Sequence, residues 1–327
     1  SSARAYLWPA RKRSNVTVIK HALATRILFK NKTAIGIEYR QRGKTTRVLA
    51  SKEVILSSGS INTPQLLNLS GVGDAVALKN KNIEVIYDAP AVGQNMQDHL
   101  CIDFLYRSKV PTLNQQLNPF WGKAWYGLKY ILSRRGPLSL GVNQAGGFVT
   151  TNDSLTKPNM QLFFSPVSYT KALPGERPLM NPDPFPGFLL SAQPTRPRSR
   201  GYIELKNSDP NTPPIIHPNY FNDEFDIQEM LEGAKFIRKL CAAPSLATII
   251  QTEIEPGFEA QSDAALIEDI KNRSVTVYHP VGTCRMGLHE KENVVNPRLK
   301  VHGLHNLRIV DASIFPTLVS GNTNAAV

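Results

Sequence analysis

Glu53-Val54-Ile55-Leu56-Ser57-Ser58-Gly59-Ser60-Ile61-Asn62-Thr63-Pro64-Gln65-Leu66-Leu67-Asn68-Leu69-Ser70-Gly71 passes from a short apolar run, through a serine–glycine turn, into a helix. Glu53–Leu56 reads as a short buried-type strand. Thr63 offers a hydroxyl to cap the helix, Pro64 suits its first position, and Gly71 stops it. A strand, a glycine turn and a helix start in that order bring backbone N–H groups to bear on an anionic ligand. On this stretch the chain is expected to contain an α/β part.

Outward from it, the first ninety residues read as strands with that one helix. Asn15–Ile19 is a β-branched run, and Ala34–Tyr39 and Thr45–Leu49 flank the turn Gln41-Arg42-Gly43-Lys44, a hairpin signal. Residues 101–265 differ in character, with proline dense between Pro158 and Pro218. Trp121, Trp125, Leu128 and Leu132 mark one helical face, closed by Arg134-Arg135-Gly136-Pro137. A second helix carries the stripe Ile227, Met230, Leu231, Ala234, Ile237 and Leu240, opened by a capping box of Asp226 and Glu229. Gly201–Leu205 alternates like a strand, so this region is expected to be an α+β substrate module. From about 266 the chain returns to short strands, and Leu307–Val310 is a buried one, ended by Asp311-Ala312-Ser313. The expected organisation is three segments, 1–100, 101–265 and 266–327, the first and last forming one domain.

Composition narrows the function class. The 327 residues are enough for two domains, and 41% hydrophobic with 20% charged residues is ordinary for a globular chain. No apolar run reaches the roughly 18 residues of a membrane span. The chain opens Ser-Ser-Ala-Arg-Ala-Tyr, without an initiating Met or apolar leader, as a piece of a longer product would. The net charge of +12 is concentrated in residues 1–53, where 13 Lys and Arg face only Glu38 and Glu53. Those cations alternate with apolar residues, as in Thr45–Leu49, so they read as a solvated strand face, and no recognition motif for nucleic acid accompanies them. Cys101, Cys241 and Cys284 lack metal spacing, and His302-x-x-His305 lacks a third ligand, so no metal site is expected. Gly71-Val72-Gly73-Asp74-Ala75-Val76 follows a helix and has Val76 where a dinucleotide fingerprint needs glycine. No G-x-S-x-G is present to support serine hydrolysis.

The chemistry-bearing residues lie near the end: Tyr278-His279-Pro280-Val281-Gly282-Thr283-Cys284-Arg285-Met286-Gly287, then Ser320-Gly321-Asn322-Thr323-Asn324-Ala325. His279 is a candidate base and Asn322 a candidate partner amide. A neutral imidazole takes a proton near neutral pH, and an amide holds a substrate oxygen without competing for that proton. The pair suits removal of a proton and a hydride from an alcohol. Cys284, beside the histidine, reads as packing.

Several blocks, in order and across nearly the whole chain, resemble the glucose–methanol–choline (GMC) family of FAD-dependent oxidoreductases. They are Ser1–Leu7; Gly59–Gly73, similar to the second family signature; Val92-Gly93-Gln94-Asn95-Met96-Gln97-Asp98-His99; Pro197-Arg198-Ser199-Arg200-Gly201; His279–Gly287; and Val310–Ser313 through Asn322–Ala325. Within the family the chain looks most like animal glucose dehydrogenase-type members. The resemblance implies an incomplete Rossmann-like FAD-binding domain with an inserted antiparallel-sheet substrate domain, the glycine-rich N-terminal FAD loop being absent. It implies FAD as cofactor, a sugar or similar polyol as small-molecule alcohol donor, and a quinone-like electron acceptor. His279 matches the active-site histidine, and Asn322 stands where members carry His or Asn. Asp311 and Ala312 match the segment that meets the ribityl–phosphate side of the flavin. Gly59, Ser60, Thr63 and Ala24 match positions near the dinucleotide, and a helix opening at Thr323–Asn324 would face the flavin edge where charge develops. Lacking the FAD loop, the chain alone is expected not to hold FAD tightly, which keeps open a rival reading as a truncated, non-catalytic member. A choline-type donor is the other rival, and it would need an aromatic and acidic cage, for which the sequence offers Trp121, Trp125 and Tyr169. The address is not legible in the sequence; secretion is the habit the resemblance brings.

Overall fold

The computed structural model describes residues 2–141, 143–169 and 182–327. Packing divides the chain into two compact units: Ser1–Met96 with Tyr202–His217 and Gly282–Pro316, and Gln97–Gly201 with Pro218–Val281 and Thr317–Val327. The chain crosses between them repeatedly. Tyr202–His217, inside the expected 101–265 segment, packs with the first unit, and 266–281 and 317–327 pack with the second.

In the first unit, Ala22–Lys30, Thr33–Gln41 and Lys44–Leu49 form an antiparallel sheet in chain order. Its expected hairpin is present, with Arg42 and Gly43 at φ 49° and 78°, the positive values a two-residue hairpin turn requires. The β-branched run Asn15–Ile19 is not a strand: it is mostly exposed and unpaired, and branching favours β structure only where a neighbouring strand and a buried face receive it. Val54–Leu56 pairs in parallel with Leu307–Ile309, so two short apolar runs some 250 residues apart complete one layer. The helix after the glycine turn spans Gly59–Leu69 and begins four residues before Thr63. Thr63 does not cap it: it lies inside the helix, where its hydroxyl donates to Asp311 at 2.6 Å and accepts the Ser58 N–H at 3.1 Å. Behind these elements Ile27, Leu56, Leu67, Val72, Cys284, Val295, Leu307 and Ile309 pack as one core. Gly93, at φ 87°, leaves no room for a side chain: an added Cβ would stand 2.4 Å from the Ile203 carbonyl oxygen. That carbonyl belongs to the strand Tyr202–Glu204, which pairs with Ile215–His217.

The second unit is built on an antiparallel sheet whose strands lie in the order Ile250–Glu255, Leu100–Ser108, Gly187–Pro194, Met160–Ser165 and Ala145–Val149. The short strand Val275–Thr276 joins it alongside Leu100–Cys101. The central strand Gly187–Pro194 is buried along its whole length, which matches its largely apolar Phe188, Leu189, Leu190 and Ala192. The helix Glu224–Cys241 lays its apolar stripe on this sheet, and Met230, Ala234 and Ile237 reach zero exposure. Arg238 ties that helix to the edge strand with two bonds to Glu253, of 2.6 and 3.2 Å.

Two local expectations are corrected here. The cap of the Glu224–Cys241 helix is Asp223, which accepts the Phe225 N–H. Asp226 instead accepts the N–H groups of Arg198 and Ser199, and Glu229 accepts from Asn159, so the two acidic residues hold tertiary loops rather than a capping box. The expected helix is present as Phe120–Ser133, and the face marked by Trp121 and Trp125 points outward: they are 80% and 61% exposed, while half-buried Gly122, Tyr126, Gly127 and Tyr130 form the other side. The region after 262 opens with a helix, Asp263–Arg273, capped by Ser262, before the short strands begin. Parallel pairing in the first unit and an antiparallel sheet with a covering helix in the second give the mixed α/β and α+β class expected from the sequence. Among the described residues no helix is long and apolar enough to cross a membrane.

Candidate active site

His279 sits at the end of a backbone run that the sheet places. Val275 and Thr276 pair with Cys101 and Leu100, and the ladder continues as Val277 N–H donates to the His99 carbonyl. Gln97 and Val281 then exchange both backbone bonds, 3.0 and 2.9 Å. Residues 97–101 and 275–281 therefore run side by side in opposite directions, which brings His99 against His279. The two Nδ1 atoms lie 3.1 Å apart and the rings meet edge to face. Between Thr276 and His279 the chain bends through Tyr278, which takes φ 61° with its side chain in solvent.

Asp98 is the hub of this arrangement. Its Oδ1 accepts the backbone N–H of both His99 and His279, each at 2.9 Å. Its Oδ2 accepts the Tyr220 hydroxyl at 2.6 Å and the Thr276 hydroxyl at 2.5 Å. A carboxylate has about four acceptor sites, and here four donors occupy them. Burial and the neighbouring Asp98 carboxylate push the Tyr220 phenol well above its ordinary value.

Beyond His279, Nε2 faces the Asn322 amide nitrogen at 3.3 Å. Asn322 itself is exposed and leads into the turn Thr323–Ala325, while His279 is 9% exposed. Burial lowers the His279 pKa below the ordinary histidine value, and Asp98 works against that shift. The lowered pKa keeps the imidazole neutral, as a base must be, and the nearby carboxylate favours the cation once a proton arrives.

His99 has no exposure, and burial brings its pKa down to about 4, with His279 adding to the shift while the Thr195 carbonyl and Asp98 oppose it. The consequence for stability has a definite sign. Below pH about 6.5 the unfolded chain protonates this residue and the folded chain does not, so stability falls as pH drops from about 6.5 to about 4 and no further. The loss from this group is expected to be about 3 kcal/mol. Urea unfolding of the full-length protein and of its His99→Asn variant, at pH 7 and at pH 4.5, should show a smaller acid loss in the variant; equal losses would remove His99 as the cause.

The expected cofactor residues fall into two groups, each within one unit. In the first unit Asp311 Oδ2 accepts the Gly59 N–H at 2.9 Å and the Thr63 hydroxyl at 2.6 Å, and Oδ1 accepts the Ser313 N–H at 2.8 Å. Ala312 opens the turn Ala312–Ile314, so Gly59, Thr63, Asp311 and Ala312 stand together. Ser60 adjoins them; its hydroxyl is buried without a hydrogen-bond partner among the described residues. Gly59, at φ 81°, has nothing within 4 Å of where a side chain would project. An unmade hydrogen bond beside an open glycine at a helix start fits a nucleotide segment, because it leaves both a donor and the space. Ala24 is not in that cluster. It lies near it, lining with Ser58, Asn62 and Gln65 a cavity of ≈ 300 Å³. A second cavity of ≈ 400 Å³ in this unit, between Asp74, Lys81, Tyr202 and Glu204, contains none of the expected site residues. In the second unit Thr323 is buried and Asn324 exposed, and a short 3₁₀ helix, Thr323–Ala325, opens there.

Sequence reasoning paired His279 with Asn322 and left out Asp98, His99, Thr195, Tyr220 and Thr276. The signal for the first two lay in the quoted Gln97-Asp98-His99 block, where an acid beside a histidine is a natural pair of proton-handling groups. Thr195 acts through its backbone carbonyl, which no side-chain pattern announces.

One family of known proteins matches most of the chain. The GMC oxidoreductase family matches residues 1–101 by its N-terminal model and 197–327 by its C-terminal model. An alcohol dehydrogenase [acceptor] of Pseudomonas putida is 43% identical over 99% of this chain and 58% of its own length. An oxygen-dependent choline dehydrogenase of Cronobacter sakazakii is 38% identical over 99% of this chain and 57% of its own. Among solved structures, a pyridoxine 4-oxidase from Mesorbium loti superposes with a TM-score of 0.84 at 25% identity, over 100% of this chain and 59% of that one. A formate oxidase superposes with a TM-score of 0.86 at 26% identity, over 95% of this chain and 58% of that one. The chain thus spans rather more than half the length of the relatives it matches.

Proposed function

The chain belongs to the GMC oxidoreductase family, and on that premise we propose that the protein of which it is part oxidises a small-molecule alcohol, with His279 as the base and Asn322 as the group that holds the substrate oxygen. Relatives named for alcohol and choline dehydrogenation and for pyridoxine oxidation support the reaction class. The observation that carries the assignment is the Nε2 of a buried, neutral histidine set 3.3 Å from the amide of an exposed asparagine. A hydroxyl placed at that edge can pass its proton to Nε2 and keep its oxygen in hydrogen-bond reach of the amide. The Asp98 carboxylate, bonded to the His279 backbone, stabilises the imidazolium that results.

FAD is the cofactor, and when bound it supplies the acceptor for the hydride from the alcohol carbon. Gly59 and Ser60 are proposed to hold its nucleotide part, with Asp311 and Ala312 beside them, Thr63 fixing Asp311, and Ala24 at the edge of the neighbouring cavity. Thr323 and Asn324, in the second unit, are proposed as further cofactor-binding residues. In domain terms, 1–100 and 266–327 would serve the cofactor and 101–265 the substrate.

For the donor we propose a sugar or polyol, as in animal glucose dehydrogenase-type members, and for the acceptor a quinone-like molecule; the relative named as an acceptor-linked alcohol dehydrogenase supports an acceptor other than oxygen. A choline-type donor is the second reading, favoured by the 38% identity to a choline dehydrogenase. Against it, Trp121 and Trp125 stand too exposed to wall an enclosed cage. The deciding experiment is anaerobic mixing of the full-length, FAD-loaded protein with glucose, a series of polyols, simple alcohols and choline, followed by the flavin absorbance. Bleaching by a polyol, with reoxidation by a quinone analogue faster than by air, is the expected result. Bleaching by choline alone selects the second reading, and no bleaching by any alcohol rejects the reaction.

A further inference from the structure

The hydrogen-bond chain through the candidate site has only one consistent assignment of its protons. Thr195 presents a backbone carbonyl, which accepts and cannot donate, 3.1 Å from His99 Nε2. That carbonyl is fixed, since Thr195 is fully buried directly after the strand Gly187–Pro194 and its own N–H bonds Asn159. His99 Nε2 must therefore carry a hydrogen. His99 is neutral because burial disfavours its charged form, so its Nδ1 carries a lone pair. His279 Nδ1 lies 3.1 Å from that lone pair. Two lone pairs cannot face each other at this distance, so His279 Nδ1 carries the hydrogen and donates it. A neutral imidazole has one N–H, which leaves the lone pair of His279 on Nε2, where the Asn322 amide N–H meets it at 3.3 Å.

We propose that His99 is a positioning residue for alcohol oxidation: it accepts the Nδ1 hydrogen of His279 and so keeps the Nε2 lone pair directed to where the substrate hydroxyl delivers its proton. The role deepens the reading of His279 as base and rests on it. The proton balance closes without a relay. When the alcohol O–H bond breaks, the proton joins His279 Nε2; the Nδ1–H stays in place and still donates to His99, now from a cation. His99 neither gains nor loses a proton. The ionisable groups facing His99 are His279 and Asp98. Asp98 accepts backbone N–H groups and the hydroxyls of Tyr220 and Thr276, so it stands outside the proton chain itself. Were His99 to take a second hydrogen, its Nδ1–H would require the lone pair of His279 on Nδ1, the hydrogen would move to Nε2, and the base would be blocked.

The test reads the tautomer directly. In the full-length holoenzyme labelled with 15N-histidine, long-range proton–nitrogen correlations should show His279, assigned by the signal lost in His279→Ala, as the Nδ1–H form. A wild-type Nε2–H form overturns the proposal whatever the variants do. His99→Phe keeps the ring volume but offers no acceptor; it should lower kcat roughly 10- to 100-fold, in the range of other orienting partners, with KM little changed and the tautomer mixed. His99→Asn puts a carbonyl oxygen where Nδ1 was and should restore the Nδ1–H form and most of kcat. A Phe variant with the parent tautomer and turnover, or an Asn variant no better than Phe, assigns His99 to packing alone. If neither variant folds, the wild-type correlation still decides. Failure of the base assignment would instead appear as unchanged turnover in His279→Ala, with the tautomer still readable in the parent.

Discussion

His279→Ala in the full-length, FAD-loaded protein is expected to lower kcat by about 10²–10⁴-fold while the flavin remains bound. That range corresponds to about 3–5 kcal/mol of transition-state stabilisation. The reason lies in the geometry: Nε2 is the imidazole nitrogen that faces Asn322, and that amide has no proton-accepting nitrogen. The measurement is the rate of anaerobic flavin reduction by the alcohol. In the parent, activity should rise with pH as His279 loses its proton, and the apparent pKa of that limb should lie below the ordinary histidine value because burial disfavours the cation. The limb should vanish in the variant. Normal reduction with flavin retained would mean that another group takes the proton.

Asp98→Ala is expected to have the largest effect on stability. The carboxylate accepts two backbone N–H groups and two hydroxyls, and it is 8% exposed, so its removal leaves four donors without their acceptor, the two N–H groups on buried residues and the two hydroxyls on half-buried ones. Each unsatisfied buried donor costs about 1–3 kcal/mol, and partial rearrangement should leave a net loss of about 3–5 kcal/mol. Asp98→Asn keeps the shape and one acceptor, and its loss should be intermediate. Activity should fall in both, since the His279 backbone loses its anchor and the imidazolium its nearby negative charge. Urea unfolding gives the first quantity and flavin reduction the second. An alanine variant as stable as the parent would show that the four donors find other partners and that Asp98 is no hub.

Much of the second unit was legible along the chain. The stripe from Ile227 to Leu240 marked a helix because burial of one face repeats every 3.6 residues, whatever that face is packed against. The hairpin around Arg42-Gly43 was legible for a similar reason, as two consecutive positive φ angles admit few residue types. Local signals failed where a distant partner competed for the same group. Thr63 reads as a cap, yet the helix opens at Gly59 and the Thr63 hydroxyl instead bonds Asp311, 248 positions away. Asp226 reads as half of a capping box until the 198–199 loop takes its oxygens. The apolar face of Phe120–Ser133 was legible as a helical face, but periodicity does not say which side is covered, and Trp121 and Trp125 are exposed.

Read alone, the order of residues determined which groups could do the chemistry: a histidine in a Tyr-His-Pro-Val-Gly block, an asparagine near the end, and ordered blocks resembling one family of flavoenzymes. It did so because composition and spacing limit what a site can hold. Only the tertiary structure decided what surrounds His279, since the antiparallel run of 97–101 beside 275–281 sets Asp98 under two backbone amides and His99 against the imidazole. Which nitrogen carries a proton depends on what faces each one across a few ångströms, and those neighbours come from positions up to about 180 residues away along the chain.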